Sequence, residues 1–91
     1  MMNQQMSRNV VIVNELGLHA RSAAKIAELA QQAVADIWLE QDEEQADAAS
    51  IIDLLSLGCT QGTQVTVAIS DGQDLTILDA VVNLIESGFG E

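Results

Sequence analysis

The stretch Gln64-Val-Thr-Val-Ala-Ile-Ser70 alternates apolar Val65, Val67 and Ile69 with Thr66 and Ala68. Successive side chains of a strand point to opposite faces, so this pattern predicts a strand with one face on a core and the other open. A sheet of such strands is antiparallel, with its helices gathered on one side. Downstream, Asp71-Gly72 reads as a turn, and Asp74 is placed to cap a final helix. Leu75, Leu78, Val82 and Ile85 would form its buried stripe, with Gly88 ending it. Upstream, Ser50-Ile-Ile-Asp53 reads as a capping box with Asp in place of Glu or Gln, opening a short helix that stops near Gly58. Asp36 to Gln41 alternates again, with Ile37 and Leu39 on one side and Trp38 on the other. Asp42, Glu43 and Glu44 would turn it into a short strand at Gln45 to Ala48.

Nearer the start, Ala23, Ile26, Ala27 and Ala30 recur at helical spacing and predict a helix from Ala20 to Gln32. Arg8 to Val13 is rich in β-branched residues and predicts a first strand. The order is therefore β-α-β-β-α-β-α. It specifies an α+β fold, a four-stranded, mainly antiparallel sheet with three helices on one face. The open face would carry Val11, Val13 and Trp38, which need no partner to explain them.

Ninety-one residues and 9.7 kDa allow one domain, 1–91, with polar residues 1–7 expected to be a flexible extension. Hydrophobic residues make up 48%, enough to exclude a disordered chain. The net charge of −11 argues against nucleic acid or an anionic membrane as partner. The charge is uneven: residues 1–35 hold three cations and two acids, and residues 36–91 hold twelve acids and no base. Cys59 has no second cysteine to pair with. No apolar run approaches the roughly 18 residues of a membrane span, and the polar start lacks a hydrophobic signal core. These features lead to the expectation of a soluble, cytoplasmic protein.

Gly17-Leu-His-Ala-Arg21 joins the first strand to the first helix, and His19 falls at the N-cap. The unpaired N–H groups of the first turn, those of Ala20 and Arg21 among them, favour an anion there. Arg21 adds a guanidinium suited to phosphate oxygens. The pieces suit a histidine that accepts a phosphoryl group. His and Arg alone do not decide this, because a histidine at a helix start is more often a surface residue or a weak cap. A metal is not implied, since the single His and single Cys lie far apart in the chain.

The segment GLHARSAAK, residues 17–25, resembles the active site of the HPr family, the histidine phosphocarriers of the bacterial phosphoenolpyruvate-dependent phosphotransferase system. A second block, Ala49 to Ile52 and Ser56 to Thr63, resembles the segment around that family's regulatory serine. The ending, Asn83 to Glu91, and the acidic stretch Glu40 to Asp47 look closest to the family's nitrogen-related branch.

The resemblance implies an HPr-like open-faced sandwich without a cofactor. Nitrogen-branch enzyme I would phosphorylate His19 on Nδ1. An enzyme IIA-type protein would then receive the group, the chain working as a monomeric stoichiometric carrier rather than an enzyme. Arg21 would stabilise the phosphate charge. Ala20, Lys25, Ile51 and Ile52 would meet partners, although at least one of Ile51, Ile52 and Leu55 should pack inward. Ser50 matches a serine that a kinase modifies in some relatives, but the helix cap is the favoured reading, because Ala49 and Asp53 stand where the family has basic neighbours. Cys59 reads as a small packed residue.

The family usually has Pro where this chain has Ser22, and Ser22→Pro is expected to leave transfer intact and stabilise slightly. Two other functions remain in view, a sugar-branch carrier and a regulatory module of the same fold without transfer. A small acidic acyl carrier is set aside, because the chain lacks an Asp-Ser-Leu attachment site and has strong strands.

Overall fold

The computed structural model describes residues 6–91. Four strands, β1 (Ser7–Val11), β2 (Ile37–Gln41), β3 (Glu44–Asp47) and β4 (Gln64–Ile69), form one sheet in the order β1-β4-β2-β3. All three pairings are antiparallel. Val10 stands opposite Val65, Leu39 opposite Val67, and Leu39 also opposite Ala46. These residues are buried, so the register gathers the apolar side chains of all four strands on one face. Three helices cover that face: α1 (Ala20–Ala30), α2 (Ile51–Ser56) and α3 (Leu75–Glu86). The element order and the open-faced layering match the expectation. Val11 and Val13 are exposed, as foreseen, and Trp38 is half-buried.

α1 buries Ala23, Ile26, Ala27 and Ala30, the expected stripe, together with Ser22. It ends at Ala30, two residues early, with Gln31 as C-cap. α2 ends before Gly58, whose φ of 65° is the left-handed turn that glycine takes most readily. The first strand is shorter than expected, although Ile12 still bonds to the backbone of Gly62 and Thr63.

Of the expected extension, residues 1–5 lie outside the described residues. Within it, Met6 packs against the core and Ser7 pairs with Ala68.

Three local readings are corrected. Asp74 precedes α3 but caps nothing with its side chain. Its buried carboxylate accepts from the N–H groups of Val34 and Ala35, at 2.9 and 3.1 Å, and ties the α1–β2 loop to the start of α3. Asp71 instead caps a short 3-10 turn, Gly72–Asp74, by accepting from the Gln73 N–H. The buried stripe of α3 is Leu78, Val81 and Ile85; Leu75 and Val82 sit only partly buried at its margin.

The box at Ser50 is half made. Its hydroxyl accepts from the Asp53 N–H at 3.2 Å, but its own N–H goes to the Asp47 carbonyl. None of Ile51, Ile52 and Leu55 packs inward. Leu54 alone is buried on α2, and Ile52 is 79% exposed.

Candidate phosphoryl-accepting site

The loop between β1 and α1 is held from below. Gly17 has φ of 66°, and a Cβ there would lie 2.6 Å from the Cys59 carbonyl oxygen. Only glycine lets the loop sit this close to the segment after α2. Leu18 N–H donates to the Cys59 carbonyl at 3.0 Å and fixes the same approach. Beneath it, Cys59 is buried, and burial pushes its thiol pKa up, which suits a packed residue rather than a nucleophile.

His19 is the N-cap of α1. Its Nδ1 accepts from the Arg21 N–H at 3.2 Å, so the lone pair lies on Nδ1. Ser22, fully buried, answers from inside the helix: its Oγ accepts from the His19 N–H at 2.9 Å. The Ser22 hydroxyl lies 3.1 Å from the His19 carbonyl and 3.3 Å from the Gly17 carbonyl, either of which can take its proton. His19 and Ser22 therefore cap each other reciprocally, a role usually filled by Ser or Thr with Glu or Gln. The expectation for Ser22→Pro changes accordingly. Pro would remove the hydroxyl and leave the His19 N–H without its partner.

Two residues unforeseen in the sequence complete the site. Asn14, buried, donates from Nδ2 to the Gly17 carbonyl at 2.8 Å and to Glu91 Oε1 at 3.0 Å. Glu91 Oε2 accepts from His19 Nε2. The Asn14 amide foremost, then the His19 ring N–H, hold the Glu91 carboxyl below the usual carboxylate range, with the charges of His19 and Arg21 adding to the effect.

The imidazole thus sits between unlike surroundings. On the Nε2 side stands the Glu91 carboxylate, which also lines an open cleft of about 450 Å³ with Glu15 and Glu86. On the Nδ1 side stand the Arg21 amide and the helix N-terminus. The Arg21 side chain is exposed and makes no hydrogen bond or ion pair among the described residues.

Of the remaining expected residues, Ala20 is exposed beside His19. Lys25 is half-buried, and its Nζ donates to the Phe89 carbonyl at 2.7 Å. Ile51 and Ile52 are exposed at the start of α2, which Gln31 ties to the far end of α1 through the Ala49 carbonyl.

The open-faced α+β sandwich thus presents a histidine that caps a helix beside an arginine unengaged among the described residues. The family model described as "PTS HPr component phosphorylation site" matches residues 6–87. The chain belongs to the HPr family of phosphotransferase-system phosphocarriers. It is 42% identical to the phosphocarrier protein NPr of Shewanella violacea, over 96% of both chains. It is 35% identical to the phosphocarrier protein HPr of Cupriavidus necator, over 94% of this chain and 97% of that one. A crystal structure of HPr from Thermoanaerobacter tengcongensis superposes with a TM-score of 0.85 at 39% identity, covering 96% of this chain and 98% of that one. No helix among the described residues is long and apolar enough to cross a membrane.

Proposed function

We propose that His19 receives the phosphoryl group on Nδ1 from enzyme I of the nitrogen branch and passes it to an enzyme IIA-type protein. One observation supports the atom: Nδ1 faces the Arg21 amide with its lone pair, while Nε2 is engaged by Glu91. A phosphoryl group on Nδ1 would take the place of that contact, with the Ala20 and Arg21 amides donating to its oxygens and the Arg21 guanidinium screening its charge. The Glu91 carboxylate at Nε2 would repel the same group. The cradle is modest, as a carrier requires, because tight binding of the phosphorylated state would lower its transfer potential. The protein acts as a cytoplasmic, monomeric, stoichiometric carrier, and Ser50 serves as a helix cap.

Incubation with enzyme I and phosphoenolpyruvate tests the reading. Acid-labile phosphate should appear on His19, and His19→Ala should fold normally and take none. Arg21→Ala should still accept phosphate, more slowly, because the amides remain. A wild-type protein left unlabelled by its matching enzyme I would support the regulatory-module reading instead. The nitrogen-branch assignment draws on the NPr relative at 42% identity, against 35% and 39% for the two HPr proteins, and on the acidity of the chain. Faster phosphorylation by the sugar-branch enzyme I than by its nitrogen-branch paralogue would overturn that assignment.

A further inference from the structure

Beyond α3 the chain folds back on itself. Gly88, Phe89 and Gly90 take φ of 68°, 60° and 74°, three left-handed residues in succession. For a residue with a Cβ this conformation costs on the order of 1–2 kcal/mol, so something must hold Phe89 there. Its ring is a core residue, 1% exposed. Its carbonyl is bonded by Lys25, and the Glu91 N–H closes onto the Gly88 carbonyl at 3.0 Å. Gly88 itself sits close against Asn14 and Val13, where a Cβ would find their side chains at 3.6 and 3.7 Å.

The product of this folding is one carboxylate delivered to one ring nitrogen. Glu91 Oε1 is held by Asn14 and Oε2 by His19 Nε2. Asn14 is 6% exposed and pinned to Gly17, so the holder is itself fixed. Residues 88–91 lie beyond the stretch that the family model matches.

We infer that Glu91 is a positioning residue for phosphoryl transfer, holding His19 in the tautomer with its proton on Nε2 and its lone pair on Nδ1. The inference rests on the reading of His19 as acceptor. On loading, the Nδ1 lone pair forms the new N–P bond as the N–P bond of the donor phosphohistidine breaks. The ring then carries positive charge shared with Nε2–H, and the Glu91 carboxylate faces that charge. On delivery, the N–P bond breaks and its electron pair returns to Nδ1. With Nε2 still protonated the leaving group is neutral imidazole; without that proton it would be an imidazolate, a far poorer leaving group. No proton has to enter or leave the ring in either direction. A buried carboxylate behind the catalytic histidine of a hydrolase triad works by the same physical logic, fixing the tautomer and stabilising the imidazolium.

Glu91 is an exposed residue outside the hydrophobic core, so its substitution should leave the fold intact. The full-length protein, labelled with ¹⁵N in the imidazole, is compared as wild type, Glu91→Ala and Glu91→Gln. Ring ¹⁵N shifts report the tautomer, and rapid-quench kinetics report transfer from enzyme I and onward to an enzyme IIA-type protein. The wild type should show the Nε2–H signature. Glu91→Ala should show a mixture of tautomers and lose about tenfold in both transfer rates, by analogy with the lower end of the loss seen when a metal-bound histidine loses its orienting partner. Glu91→Gln keeps an acceptor oxygen, so it should retain the signature and recover part of the rate. Unchanged ring shifts or unchanged rates in Glu91→Ala, with a wild type that is phosphorylated on His19, would overturn the inference alone. A wild type that takes no phosphate on His19 would overturn the site reading and this inference with it.

Discussion

Ser22 shows how a single side chain sets the site. The hydroxyl satisfies the His19 N–H from a fully buried position. Ser22→Ala should therefore cost about 1–3 kcal/mol, the usual penalty of a buried polar group left without its partner. Ser22→Pro gains at most about 1 kcal/mol by restricting the unfolded chain, so it should also destabilise, against the expectation from family pattern. Urea denaturation of the two variants decides, and a Ser22→Pro protein more stable than wild type would show that the reciprocal cap contributes little. Glu91 gives a pH-dependent test at the same scale. Its carboxyl is held low by Asn14 and His19, so its contribution to stability is present above the ordinary carboxylate pKa and is lost as pH falls through the lower folded value. A ¹³C titration of the Glu91 side chain should give a midpoint below that of a free glutamate, and His19→Ala should move it upward. A midpoint indifferent to His19 would deny the contact.

Among the elements, two connections hold the site and the sheet in place, and they predict different costs. Gly17 and Gly58 both take left-handed φ, but only Gly17 is crowded, by the Cys59 carbonyl and Thr60 Cα. Gly58→Ala should cost about 1 kcal/mol for conformation alone, whereas Gly17→Ala must also push the loop off its support and should cost several times as much. Thermal melts compare them directly; equal losses would mean that the loop yields without cost. Asp74→Ala should cost about 2–4 kcal/mol, because it leaves the Val34 and Ala35 N–H groups without their charged acceptor.

These elements also show what a sequence discloses. His19 at a helix start, the alternation of β4 and the glycine stop after α2 are local patterns, and each was legible. Asp74 looked like a cap because caps are local, while its real partners are two amides in a distant loop. Val81 and Val82 fit a helical period about equally well, and only packing on the sheet selects Val81. Asn14 and Glu91 stand at opposite ends of the chain, and no spacing rule joins them. The only hint was an ending, Gly88-Phe-Gly-Glu91, with more glycine than a helix requires.

At the scale of the whole molecule, the uneven charge becomes a surface property. Arg8 at the β1 edge is paired with Asp79, and Lys25 is engaged by the Phe89 carbonyl. Arg21 is the cation without a partner among the described residues, and it stands beside His19. Glu91 reaches His19, while Asp42, Glu43 and Glu44 are exposed at the β2–β3 turn and Asp53 is exposed on α2. Two physical roles fit this distribution. Charge along the β3 edge discourages pairing with another chain, and charge around the site selects partners by repulsion. The roles separate by experiment, because protection of an edge is indifferent to which enzyme I is offered. If the acids select, replacing Glu43 and Glu44 with Gln and Asp53 with Asn should raise the phosphorylation rate by sugar-branch enzyme I severalfold at low salt. The rate with nitrogen-branch enzyme I should not rise with it. The gain should shrink near 0.15 M salt, where screening over about 8 Å weakens exposed charges. No gain at low salt, together with a new tendency to self-associate, would assign these acids to the sheet edge and leave partner choice to the surface around His19.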